Sequence, residues 1–187
     1  IRPSAPQSPP RNLTVTEIKS LDEIGFHDSS SFGVKAANVA EMRKIRNSFR
    51  SKVPDGFAVP FYFYDAFMRH NDFYKKAERM MASPGFREDA DTRERKLADF
   101  RSAIKKATMP DFMIPLLSDV QEAFPVEEGS IRCRSSTNNE DLPGFSGAGL
   151  YDSFTHKTAE GHLSKSIKQV FASMWNFRAF EEREFHR

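Results

Sequence analysis

The sequence contains a single cysteine, Cys133, in 187 residues. One thiol excludes an intrachain disulfide and any metal site built from several cysteines. It fits a reducing compartment. Neither sign of charge dominates: 28 Lys and Arg against 26 Asp and Glu leave a net +2. That is too little to argue for nucleic acid or an anionic membrane surface as a partner. No apolar run approaches the roughly eighteen residues of a membrane span. No signal peptide is visible, so a cytoplasmic location is expected. Tryptophan and tyrosine are sparse, one and four, beside 18 phenylalanines. The core is therefore expected to be filled largely by phenyl rings, with few polar tips to satisfy. The G-x-x-x-x-G-K-[ST] phosphate loop is missing. His156, His162 and His186 lack the i, i+4 pairing of a helical metal site. There is no internal repeat. The chain begins at Ile1 and ends at Arg187 within a helical pattern, as expected of a fragment of something longer.

What is present is ordinary in bulk: 39% hydrophobic and 29% charged residues suit a globular domain. Residues 1–12, with Pro3, Pro6, Pro9 and Pro10, read as a linker or disordered tail. Pro3 and Pro6 have PxxP spacing. Residues 13–187 read as the structured part. Weak alternation from Leu13 to Leu21 predicts a strand, and a helix is expected over Val34 to Ile45. Pro54, Asp55 and Gly56 form a turn before a short buried strand at Phe57 to Val59, with Pro60 placed to start a helix. Phe63, Phe67, His70, Tyr74, Ala77 and Met81 recur at steps of four and three, one face of a single helix. Ser83, Pro84 and Gly85 stop it. A charged helix follows with Leu97, Phe100 and Ile104 as a thin apolar stripe, closed by Pro110. Another, from Asp111 to Phe124, carries Leu116, Leu117, Val120 and Phe124. A long helix from Ala159 onward carries Leu163, Ile167, Val170, Met174 and Phe177, widened by Phe171 and Trp175. The middle helices hold no catalytic constellation. Many helices and few short strands make this a helix-rich α+β chain.

Chemistry concentrates between Ile131 and Phe154, reading IRCRSSTNNEDLPGFSGAGLYDSF. Ile131 and Cys133 alternate with Arg132 and Arg134, so a strand puts the apolar pair on one face and both guanidiniums on the other. A loop with Gly144, Gly147 and Gly149 follows, and then a second short strand from Leu150 to Phe154. Fixed cations beside a small-residue loop suit a phosphate, because glycines let backbone N–H groups approach its oxygens. The alternative is an ordinary hairpin with a long surface loop. Lys35 adds a second cation, two residues after Gly33 at the start of a helix. A lysine there opposes the macrodipole unless an anion shares the spot and uses the free N–H groups.

Three segments together resemble the N-terminal nucleotide-binding domain of the phosphoenolpyruvate synthase and pyruvate phosphate dikinase family. They are GVKAANVAEM from Gly33 to Met42, VPDGFAVP from Val53 to Pro60, and RSSTNNEDLP from Arg134 with its continuation SGAG ending at Gly149. SMWNFRA, from Ser173 to Ala179, resembles a fourth family segment. Phe32 stands where the family has a first glycine, and Gly147 where it has phenylalanine. Glucan water dikinases and rifampin phosphotransferases share this architecture, and the run from Ser146 to Ser153 looks like the glucan dikinase version.

The resemblance implies a helix-rich first lobe of an ATP-grasp domain with a small, mostly antiparallel sheet, its second lobe missing. It implies ATP as the ligand. Lys35 and Arg134 would lie on the phosphates, with Gly147 and Gly149 in the covering loop and Leu150 and Tyr151 near the nucleotide. Magnesium ligands are expected in the missing lobe, and Glu140 and Asp141 are read as bracing the loop rather than binding metal. The implied partners are downstream phospho-histidine and acceptor-binding domains of the parent chain, with no nucleic acid and no membrane. The implied activity of the parent is ATP-dependent phosphorylation of a histidine and transfer to pyruvate or a related acceptor. The chain by itself is expected to hold no catalytic residue. The alternatives are a non-catalytic nucleotide-binding or interaction module of the same fold, or part of a glucan water dikinase-like enzyme.

Overall fold

Two short ribbons of antiparallel strand and eight helices are seen in the computed structural model, which describes residues 9–45, 53–124, 129–138 and 150–186. The order is β1 (Lys19–Ser20), a 3-10 turn (Phe26–Asp28), α1 (Ser29–Phe32), α2 (Val34–Lys44), β2 (Phe57–Ala58), α3 (Phe61–His70), α4 (Phe73–Met81), α5 (Ala90–Lys106), α6 (Met113–Ala123), β3 (Ser130–Arg134), β4 (Ser153–Lys157), α7 (Ser164–Ser173) and α8 (Phe177–His186). The fold is α+β and helix-rich, as its composition and periodicity imply.

The core is aromatic. Phe63, Phe67, Phe73, Phe100 and Phe171 are buried together with Met68, Ile104, Met113 and Leu117. Phe73 and Phe100 meet edge to face at 5.5 Å, and Phe100 and Trp175 at 4.8 Å. Each fully buried phenyl is worth about 1.5–3 kcal/mol of transfer free energy. The polar tip of Trp175 is satisfied, its Nε1–H donating to the Tyr64 hydroxyl at 2.9 Å. No helix among the described residues is long and apolar enough to cross a membrane.

Several elements differ from expectation. The apolar period from Phe63 to Met81 is one face of two helices, not one. Asp72 takes a left-handed conformation, φ 58°, between α3 and α4. The Asn71 carboxamide donates to the Phe67 carbonyl at 3.0 Å and to the Thr108 carbonyl at 2.9 Å. The four-and-three spacing survives this break, so the period alone cannot reveal it. The C-terminal helix is likewise two, split at Met174–Asn176, because Asn176 caps a new one: its Oδ1 accepts from the Ala179 N–H at 2.7 Å. Of Leu13 to Leu21, only Lys19 and Ser20 enter a ladder, paired with Ala58 and Phe57. Ala58 is buried, but Phe57 is 39% exposed, so that strand buries one face only. Leu116, expected on the buried face of α6, is 38% exposed, and Met113 takes the buried position.

β3 and β4 form the predicted hairpin, with the second strand later than expected. Arg134 pairs with Ser153, Cys133 with Phe154 and Ile131 with His156. One face packs on Val120, Leu163, Ile167 and Val170. The other leaves Arg132 and Arg134 exposed. Burial pushes the Cys133 thiol up to about 11.

Two outcomes follow from this packing. At pH 8 a soluble thiol reagent should label native Cys133 at least roughly a hundredfold more slowly than the unfolded chain. Labelling at equal rates would place the thiol outside the core. Asn71→Ala removes both carboxamide bonds and should destabilise the chain by about 1–2 kcal/mol in denaturant unfolding.

Candidate functional site

The site is built where the two motif-bearing segments meet. Residues 135–138 leave β3 and lie against the N-terminus of α2. The Ser136 Oγ accepts from the Ala36 N–H at 3.0 Å. The Thr137 carbonyl accepts from the Val34 N–H at 3.1 Å. Segments a hundred residues apart in sequence are thereby joined by a side chain acting as a helix cap from a distance. Lys35 is placed between the two engaged N–H groups, and Arg134 two residues before Ser136.

Gly33 makes the approach possible. Its backbone, φ 86° and ψ 157°, lies in a region essentially reserved for glycine. A Cβ there would stand 2.5 Å from the Ser136 carbonyl carbon. Phe32, the departure from the family pattern, is 1% exposed and packs in a cluster with Leu21, Ile24, Ala40 and Ala58. It anchors the turn into α2 from the core side.

This contact corrects one expectation. The N–H groups of Val34 and Ala36 are occupied by residues 136 and 137, so they are not open to an anion. What the helix end offers a ligand is the half-buried Lys35 side chain. Arg134 is exposed on β3, whereas Arg132 donates to Thr155 Oγ1 at 2.6 Å, a cross-strand bond within the hairpin. Gly147 and Gly149 lie outside the described residues, as do Glu140 and Asp141. Leu150 is 6% exposed and packs on Ala179, so its side chain faces the core. Tyr151 is half-buried, its hydroxyl accepting from Arg183 at 3.4 Å. Among the described residues no three of His, Cys, Asp and Glu group as a metal site.

Residues that sequence reasoning passed over support this arrangement. Arg43, 8% exposed, grips Asp22 through two bonds of 2.9 and 3.0 Å. It also donates to the Val53 carbonyl at 3.1 Å and pairs with Asp55 at 3.2 Å. It thus ties α2 to the turn before β2. The Asp22 hydrogen bond holds its guanidinium above the usual arginine range. His156, 1% exposed, has its Nε2 at 2.9 Å from the Gly161 carbonyl. A carbonyl only accepts, so Nε2 carries a proton there, and Nδ1 pairs with the Ser166 hydroxyl at 2.9 Å. It is a structural histidine. Residues 10–12, read as the end of a linker, are held as well. The Pro10 carbonyl accepts from Asn138 Nδ2 at 2.6 Å, and Arg11 pairs with buried Asp65 at 3.4 Å.

Gly33→Ala should cost at least about 2 kcal/mol of stability through backbone strain and the clash with Ser136. Ser136→Ala should cost about 1 kcal/mol through the lost cap. Denaturant midpoints measure both, and a Gly33→Ala chain as stable as wild type would refute the close approach.

A family described as pyruvate phosphate dikinase, AMP/ATP-binding domain, matches residues 29–187. The phosphoenolpyruvate synthase of Pseudomonas aeruginosa is 28% identical over 174 residues, covering 90% of this chain and 22% of its own length. That of Aquifex aeolicus is 26% identical over 168 residues, 88% of this chain and 20% of its own. A probable phosphoenolpyruvate synthase of Methanothermobacter thermautotrophicus is 26% identical over 179 residues, 94% of this chain and 25% of its own. The chain spans only a fifth to a quarter of the length of these relatives. By its match over residues 29–187, the chain belongs to the pyruvate phosphate dikinase AMP/ATP-binding domain family.

Proposed function

We propose that the chain is the first, ATP-binding lobe of an ATP-grasp domain in a cytoplasmic dikinase-type phosphotransferase. In such an enzyme ATP phosphorylates a histidine on another domain, which passes the phosphoryl group to pyruvate or a related acceptor. Phosphoryl transfer is mostly positioning and charge stabilisation, so a binding lobe serves by holding the triphosphate. Lys35 supplies a compact ammonium and Arg134 a planar fork that can hold two phosphate oxygens. The backbone at Gly147 and Gly149 is assigned to the same phosphates, and Tyr151 to the nucleoside side. Magnesium, held by carboxylates of a further lobe, supplies neutralisation of the phosphate charge. The observation that carries this reading is the docking of residues 136 and 137 on the start of α2. It brings the lysine-bearing and arginine-bearing segments of the family motif to one place.

Arg134→Ala should weaken ATP binding by about 1.5–3 kcal/mol, the scale of charge-assisted hydrogen bonds, or roughly ten- to a hundredfold. Arg132→Ala, on the same strand face but bonded within the hairpin, should change it by less than about threefold. Titration followed by amide NMR shifts reads both, and an unaltered affinity in Arg134→Ala would refute the role of Arg134.

A further inference from the structure

Asn176 stands between α7 and α8, and its carboxamide acts in two directions. The oxygen caps α8 through the Ala179 N–H at 2.7 Å. The nitrogen donates to the Leu150 carbonyl. Capping requires only the oxygen, so the second bond is an addition, and it fastens a residue 26 positions away. Leu150 is held from its other side by burial against Ala179. One residue on, Tyr151 is held too. Its hydroxyl accepts from Arg183, whose guanidinium also stands 6.0 Å from the Trp175 ring centroid. Trp175 in turn donates to Tyr64 on α3. Residues 150 and 151 are therefore clamped to α8 at a backbone carbonyl, an apolar side chain and a phenol.

We propose that Asn176 and Arg183 are positioning residues of the nucleotide site. Asn176 fixes the backbone at Leu150, so that Tyr151 is presented from one position, and Arg183 couples Tyr151 to Trp175. The proposal rests on the nucleotide-binding reading given above. Neither residue touches the nucleotide. Each acts by removing part of the ordering cost that a loose Leu150–Tyr151 segment would add to binding. Because Trp175 is the chain's one tryptophan, its emission reports occupancy through Arg183.

Asn176→Ser separates the two bonds of Asn176. A serine still caps a helix, but its shorter side chain lacks the donor that reaches Leu150. Its melting temperature should stay near wild type, while the Kd for magnesium–ATP rises about three- to tenfold, the scale of one hydrogen bond. Arg183→Met should abolish the change in Trp175 emission on adding magnesium–ATP and raise the Kd over the same range. Wild-type Kd and wild-type emission response in both variants would overturn the proposal. If Asn176→Ser fails to fold, the same two measurements on Arg183→Met decide it. A wild-type chain with no ATP-dependent amide shifts would overturn the nucleotide reading, and the clamp with it. Binding by wild type with unchanged variants overturns the clamp alone.

Discussion

The contact between Ser136 and the first turn of α2 is the constraint on which the rest of the site depends. A helix start has donors to satisfy, and the segment after a strand has acceptors to place. Here each solves the other's problem, through a serine oxygen at Ala36 and a threonine carbonyl at Val34. The approach needs a residue without a Cβ at position 33. That requirement explains why a glycine opens the motif more directly than any phosphate contact would. The segments that carry Lys35 and Arg134 are thereby joined through backbone and serine contacts.

A second layer holds this contact in place. Arg43 is a buried cation with two carboxylates and a carbonyl around it, so its charge is compensated and its direction fixed. It links α2 to the segment beginning at Val53, so the two segments are held against each other. Below them, phenyl rings of α3, α4, α5 and α7 interlock, mostly edge to face or tilted. This platform has few polar tips, and the tryptophan that has one finds Tyr64.

The elements of strong local signal were legible in the sequence. Gly33 followed by small and apolar residues marked the start of α2, and the Ile131–Arg134 alternation marked a strand with both arginines outward. Cys133 was readable as a core residue for the same reason. What escaped were features made by single polar side chains acting across the fold. Asn71 and Asn176 break helices whose apolar period runs on undisturbed, because the chain resumes with its buried face in step. The shift of the second strand to Ser153–Lys157 escaped because Leu150 looks like a strand residue but is buried against a helix. The filling of the α2 N-terminus by Ser136 lies beyond any local pattern, since it joins positions a hundred residues apart.

The split of the C-terminal helix divides labour between its halves. α7 faces two ways, with Ile167 and Val170 under β3 and β4 and Phe171 and Ala172 in the aromatic core beside Phe67 and Phe100. α8 packs on α5 through the Arg93–Glu181 pair at 2.6 Å and through Phe180, which clusters with Leu97 and with Phe86 of the turn before α5. The joint between them is the residue that also grips Leu150. One carboxamide therefore fixes both where α8 begins and where the backbone at residue 150 sits.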